Sequence, residues 1–104
     1  MSKRRVVITG VGLVTPVGIG TEASWKGLTE GRSGIGPISR FDASNYATKF
    51  AGEIKGWDPT GWMTSREAKQ NDPFIQYAIG AGLMAMEDAK LTITPDIAEQ
   101  VRAG

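Results

Sequence analysis

Arg4-Arg5-Val6-Val7-Ile8-Thr9-Gly10-Val11-Gly12-Leu13-Val14-Thr15-Pro16-Val17-Gly18 decides how the chain is read. Val6, Val7 and Ile8 are consecutive and β-branched, which suits a strand covered on both faces. Gly10 and Gly12 follow at once. Having no Cβ, each lets the backbone bend or approach another segment closely. The stretch predicts a buried first strand running into a glycine-and-proline turn.

Two nucleotide-binding patterns begin in a similar way, and both fail on spacing. Gly10-Val11-Gly12 supplies the first two glycines of G-x-G-x-x-G, but the third position is Thr15. A dinucleotide phosphate also needs a helix N-terminus inside the motif. Here Pro16, Gly18 and Gly20 delay the next helix to about Thr21. The short-chain dehydrogenase turn, T-G-x-x-x-G-x-G, wants glycine where this chain has Val14 and Pro16. No nucleotide cofactor is expected.

Working outward, the 104 residues allow one small domain. With 40% hydrophobic and 22% charged residues and a net charge of +1, the chain reads as globular, with no basic excess for nucleic acid. It contains no cysteine and no histidine, which excludes disulfides, Cys/His metal sites and Ser–His or Cys–His catalytic pairs. The basic start, Ser2-Lys3-Arg4-Arg5, imitates a signal peptide. Thr9, Gly10 and Gly12 break the apolar run, however, and no small-x-small cleavage site follows. No segment approaches the roughly 20 apolar residues of a membrane span. A cytoplasmic protein is the expectation.

Thr21 is a candidate N-cap, with Glu22 in the first helical turn and Gly31 as the C′ residue. Trp25 and Leu28 share a face of that helix. Ser33-Gly34-Ile35-Gly36-Pro37 turns into a short extended piece. Residues 41–62 form a long irregular connection with one alternating strand at residues 50–55. Trp57 and Trp62 flank a turn at Asp58-Pro59-Thr60-Gly61. Thr64 or Ser65 caps a short polar helix bearing Arg66, Glu67, Lys69 and Gln70. Asp72-Pro73 then starts the strongest helix, apolar almost all round as far as Glu87 and Asp88, and so expected to be buried on most sides. Gly80 and Gly82 cost about 1 kcal/mol each in its interior, which close packing would offset. Thr94-Pro95-Asp96 opens one more helical turn, and residues 101–104 either close it or begin a strand.

The opening stretch, from Val7 to Gly18, resembles the β-ketoacyl-acyl carrier protein synthases, which have the thiolase fold. The likeness continues through Trp25-Lys26-Gly27-Leu28, Gly31-Arg32-Ser33-Gly34-Ile35 and Phe41-Asp42-Ala43-Ser44. It is closest at Tyr46-Ala47-Thr48-Lys49-Phe50-Ala51-Gly52-Glu53-Ile54-Lys55 and at Asp72-Pro73-Phe74-Ile75-Gln76-Tyr77-Ala78. It spans the chain in order and favours type II synthases of fatty-acid elongation over type I.

The resemblance implies an α/β fold: the N-terminal part of a layered α-β-α thiolase-like architecture, incomplete in residues 1–104. It also implies decarboxylative condensation of an acyl thioester with malonyl-carrier protein, carried out by one cysteine and two histidines that this chain does not hold. The catalytic set is therefore none, no cofactor or metal is expected, and the isolated chain is expected to be inactive and aggregation-prone. The implied partners are acyl carrier protein, acyl and malonyl thioesters, and a second copy in a homodimer. In type II synthases, basic residues on the short helix dock the acidic carrier protein, and the matching positions are Arg66 and Lys69. Gln70 and Asn71 depart from the family pattern there, and a solvated face with Glu67 between the cations is the alternative. Phe74, Ile75, Met84 and Met86 are expected in core or dimer contacts rather than an acyl pocket. Glu53, Glu87, Asp88 and Glu99 form no acid–base pair. A polyketide ketosynthase or a chain-length-factor-like subunit remains the other reading.

Overall fold

Pro16 and Val17 turn the chain between β1 (Val14–Thr15) and β2 (Gly18–Ile19), an antiparallel pair with Val14 opposite Ile19. A computed structural model describes residues 3–98 and 100–101. Helix α1 (Thr21–Thr29) packs back on this hairpin. Ser24 is wholly buried at the junction, where its hydroxyl lies 2.9 Å from both the Thr15 hydroxyl and the Gly18 carbonyl. The Thr15 hydroxyl also reaches that carbonyl, at 3.1 Å. Two hydroxyl protons serve three contacts, so at most two of the bonds form at once. The N-cap is Gly20, at φ 98°, rather than Thr21. Thr21 is displaced from that role because its hydroxyl donates to the Val11 carbonyl at 3.2 Å. Gly31 has φ 71°, as its C′ position requires.

β3 (Ile35–Pro37) pairs antiparallel with β4 (Phe50–Gly52), Ile35 opposite Gly52 and Pro37 opposite Phe50. The strand expected over residues 50–55 is thus shorter. Continuing the register would set Lys55 against Arg32, whose amide instead closes the end of α1 on the Gly27 carbonyl at 2.9 Å. A 3₁₀ turn at Pro59–Gly61 is capped by Asp58, which accepts from the Thr60 amide at 3.0 Å. Then come α2 (Ser65–Gln70) and α3 (Pro73–Asp88), the latter with proline in its first turn and no side-chain bond from Asp72.

The predicted first strand does not form. Residues 3–13 belong to no strand, although the Leu13 carbonyl accepts from the Gly20 amide at 2.8 Å, and Val6, Val7 and Ile8 are 92%, 68% and 85% exposed. A strand needs a neighbour, and among the described residues both sheets close on their own two members. The glycines of the same stretch do meet their expectation. A Cβ on Gly10 would strike the Ala85 carbonyl and sit 2.6 Å from the Ala89 nitrogen; one on Gly12 would strike the Ala81 carbonyl and sit 2.6 Å from the Ala85 nitrogen. The backbone there lies directly on α3. Val11 between them donates to the Asp88 carboxylate at 3.0 Å and accepts from Thr21, so its polar groups are satisfied without a sheet.

α3 is also less covered than predicted. Gly80 is its buried residue, while Phe74 and Leu83 remain exposed, because little of the described chain lies on their side. Gly80 sits under Trp57, whose Cη2 would be 2.6 Å from a Cβ, but Gly82 faces open space. Trp25 and Leu28 likewise form an exposed face of α1. After α3, residues 94–98 make a turn and no helix. Isolated bonds such as Ile97 N–H to the Thr94 carbonyl (3.1 Å) do not propagate in so short a segment. Val101 is unpaired, and Glu99 and residues 102–104 lie outside the described residues.

The whole is open. A compact chain of this length has a radius of gyration of about 13 Å, against 17.3 Å here. Its accessible surface would be about 5,700 Å², against 8548 Å².

Candidate functional site

The corner where α2 meets α3 carries the two basic residues singled out above. Thr64 caps α2 with a reciprocal pair: its hydroxyl accepts from the Glu67 amide, and the Glu67 carboxylate accepts from the Thr64 amide, both at 3.2 Å. This local chemistry explains why so short a helix forms. It also settles where Glu67 points. One of its carboxylate oxygens is held by the cap, and it makes no direct ion pair with Arg66 or Lys69. Arg66 and Lys69 are exposed, three residues apart and so on one face. Among the described residues the ion pair is Arg32 with Glu30 at 2.6 Å, so neither Arg66 nor Lys69 is paired.

The far end of α2 is held by two amides. Asn71 Nδ2 donates to the Glu67 carbonyl at 2.8 Å, and Gln76 Nε2 donates to the carbonyls of Ala68 and Asn71 at 2.8 and 3.0 Å. Gln76 Oε1 accepts from the Trp57 indole at 2.9 Å. Trp57 meets Tyr77 edge to face with centroids 5.3 Å apart, and Arg40 reaches the Tyr77 hydroxyl at 3.2 Å. The sequence reading quoted Gln76 only as part of a motif and gave it no role. Its signal was an amide in the second turn of an otherwise apolar helix.

The carboxylates do structural work. Glu53 accepts from the Ser39 hydroxyl at 2.9 Å and from the Ser39 and Arg40 amides. The Ser39 hydroxyl is the main cause that holds its carboxyl below the usual range. Asp88 binds Val11, and Glu87 and Asp88 border an open groove of about 700 Å³ with Val11, Thr21 and Met84. No group of three potential metal-binding side chains occurs among the described residues. Nor is any helix there long and apolar enough to cross a membrane. Of the apolar residues expected in core or dimer contacts, Phe74 is 69% exposed, and Ile75, Met84 and Met86 are half-buried.

Residues 3–103 match the family described as "Beta-ketoacyl synthase, N-terminal domain". The chain belongs to that family. Among its relatives, the 3-oxoacyl-[acyl-carrier-protein] synthase 2 of Vibrio harveyi is 52% identical over 101 residues, which is 97% of this chain and 24% of that protein. The synthase 2 of Vibrio cholerae serotype O1 is 48% identical over the same shares. A solved structure titled "The ishigamide ketosynthase/chain length factor" superposes with a TM-score of 0.77 at 38% identity, covering 88% of this chain and 23% of that one. The fold is therefore that of the N-terminal α/β region of a ketosynthase. The chain spans about a quarter of the length of the curated relatives it matches. The opening glycines Gly10 and Gly12 lie against the α3 backbone of this fold.

Proposed function

We propose that this chain is a segment of a β-ketoacyl-[acyl-carrier-protein] synthase. That enzyme would condense an acyl thioester with malonyl-carrier protein, with loss of carbon dioxide, in fatty-acid elongation. The observation that carries the reading is the match to synthase 2 relatives at 46–52% identity across 97% of the chain. It favours fatty-acid elongation over a polyketide ketosynthase or chain-length-factor-like subunit, for which the structural relative is 38% identical.

The parent is a cytoplasmic acyltransferase that works as a homodimer and takes acyl carrier protein as partner, and residues 1–104 belong to its N-terminal domain. The chain has no cysteine and no histidine, so by itself it has no thiol to take the acyl group and no imidazole for decarboxylation. Purified alone, it should form no condensation product and release no carbon dioxide from malonyl-carrier protein; product formation would contradict this.

The role of these residues in the parent is docking. Arg66 and Lys69 present two exposed positive charges from one face of α2, without a direct ion pair to Glu67, which bonds the cap. An acidic carrier protein would be steered to such a face. In the synthase carrying this segment, Arg66→Glu with Lys69→Glu should raise the KM for carrier-borne substrate roughly fivefold to tenfold at low salt. It should also flatten the salt dependence of KM. An unchanged KM rejects the docking role.

A further inference from the structure

Gln76 uses nearly all of its hydrogen-bonding capacity at one place. Both of its N–H groups donate, to the Ala68 and Asn71 carbonyls at 2.8 and 3.0 Å, and its oxygen accepts from the Trp57 indole at 2.9 Å. Ala68 is one of the last residues of α2, whose terminal carbonyls have no partner inside the helix. Gln76 therefore satisfies the end of α2 from within α3. Trp57 is fixed in turn, seated on Gly80 one turn further along α3. The loop before the 3₁₀ turn, the end of α2 and the second turn of α3 meet at this one amide.

Ala68 is the neighbour of Lys69, and Arg66 lies in the same short helix. A helix of 6 residues has too few internal hydrogen bonds to hold a direction by itself. Its N-terminal cap is built from its own residues, Thr64 and Glu67, and ties it to nothing else. Asn71 and Asp72 link its C-terminal end to α3, and the bonds from Gln76 fasten that corner.

We infer that Gln76 is a positioning residue: it sets the direction of α2, and with it the direction in which Arg66 and Lys69 face an acidic carrier protein. This rests on the docking reading given above. Glutamate at this position would keep the acceptor for Trp57 but lose both donors and set a carboxylate against two carbonyls. Methionine would keep the length and lose all three bonds. Trp57→Phe would remove the indole donor and the outer ring that sits on Gly80.

The test compares kcat and KM of the synthase carrying this segment, using malonyl-carrier protein and, separately, a small malonyl thioester with no carrier. Gln76→Met, which loses three bonds, and Gln76→Glu, which loses two, should each raise KM for the carrier-borne substrate roughly fivefold to tenfold, since only part of the lost bonding acts on the direction of α2. They should leave kcat, and KM for the small thioester, as in the parent. Trp57→Phe, which removes the indole donor together with the contact on Gly80, should give a rise of the same kind and serves if the Gln76 variants do not fold. In the Arg66→Glu, Lys69→Glu background, Gln76→Met should add nothing. If the charge reversal raises KM but Gln76→Met or Trp57→Phe does not, positioning is overturned and docking stands. If the charge reversal leaves KM unchanged, docking falls and the positioning role with it. An equal loss of kcat with both substrates would mark Gln76 as merely structural and overturn the inference.

Discussion

The opening stretch behaves as two regions. Around Gly10 and Gly12 the backbone is seated on α3, and Val11 between them has both polar groups bonded. A few residues earlier, Val6, Val7 and Ile8 are nearly as exposed as in an unfolded chain. The difference lies in where the partners are. The glycine seam needs only α3, which is in the same segment. A strand with two apolar faces needs neighbouring strands and layers, and the described residues supply none. One stretch therefore carries a contact already made and a contact still open.

The largest effect should separate these two regions. Gly12→Val would drive a side chain into the α3 backbone at Ala81 and Ala85, costing about 3 kcal/mol or more. Val7→Ser should change the stability of the isolated chain by less than about 0.5 kcal/mol. In the synthase carrying the segment, the same change should cost about 2 kcal/mol. Urea unfolding followed by helical circular dichroism measures both. A large loss for Val7→Ser in the isolated chain would show that this region is already packed.

A second contrast lies within α3. Gly80→Ala would push a methyl group against Trp57 and should destabilise by about 1 kcal/mol, even after the gain in helix propensity. Gly82→Ala meets open space and should stabilise by up to about 1 kcal/mol. Thermal melts of the two variants should shift in opposite directions. Shifts of the same sign would break the assignment of Gly80 to the Trp57 contact.

The smallest effect concerns Glu53, which joins the loop after β3 to the end of β4. Its carboxyl is held below the usual range, chiefly by the Ser39 hydroxyl. The folded state therefore favours the charged form. Its contribution is present at neutral pH and is lost as the pH falls through and below the ordinary glutamate range. Glu53→Gln should weaken the acid dependence of stability slightly while leaving stability at the acid end unchanged. An identical pH profile for parent and variant would contradict this.

How much the sequence could tell follows the same division. The start of α2 at Thr64 or Ser65 and the proline start of α3 rest on local chemistry and were legible from residue types, whereas the α1 cap lies one residue earlier than residue types suggest. The close approaches at Gly10, Gly12 and Gly80 were legible as glycines that a helix or strand would not otherwise choose. Burial was not. The β-branched run at residues 6–8 and the apolar faces of α3 encode contacts with neighbours that periodicity cannot locate. At the candidate site, Arg66 and Lys69 were legible only through the family resemblance. The bonds of Glu67 to the α2 cap and of Gln76 to the end of α2 became visible only in the structure.

If this chain forms a working part of a carrier-dependent synthase, it should replace the matching part of a relative. The most direct measurement replaces the aligned 101 residues of the Vibrio harveyi synthase 2 with those of this chain and follows condensation of an acyl thioester with malonyl-carrier protein. The expected result is a folded chimera with kcat/KM within roughly tenfold of the parent, a loss of less than about 1.4 kcal/mol in transition-state stabilisation. A folded chimera with no condensation activity would contradict the claim.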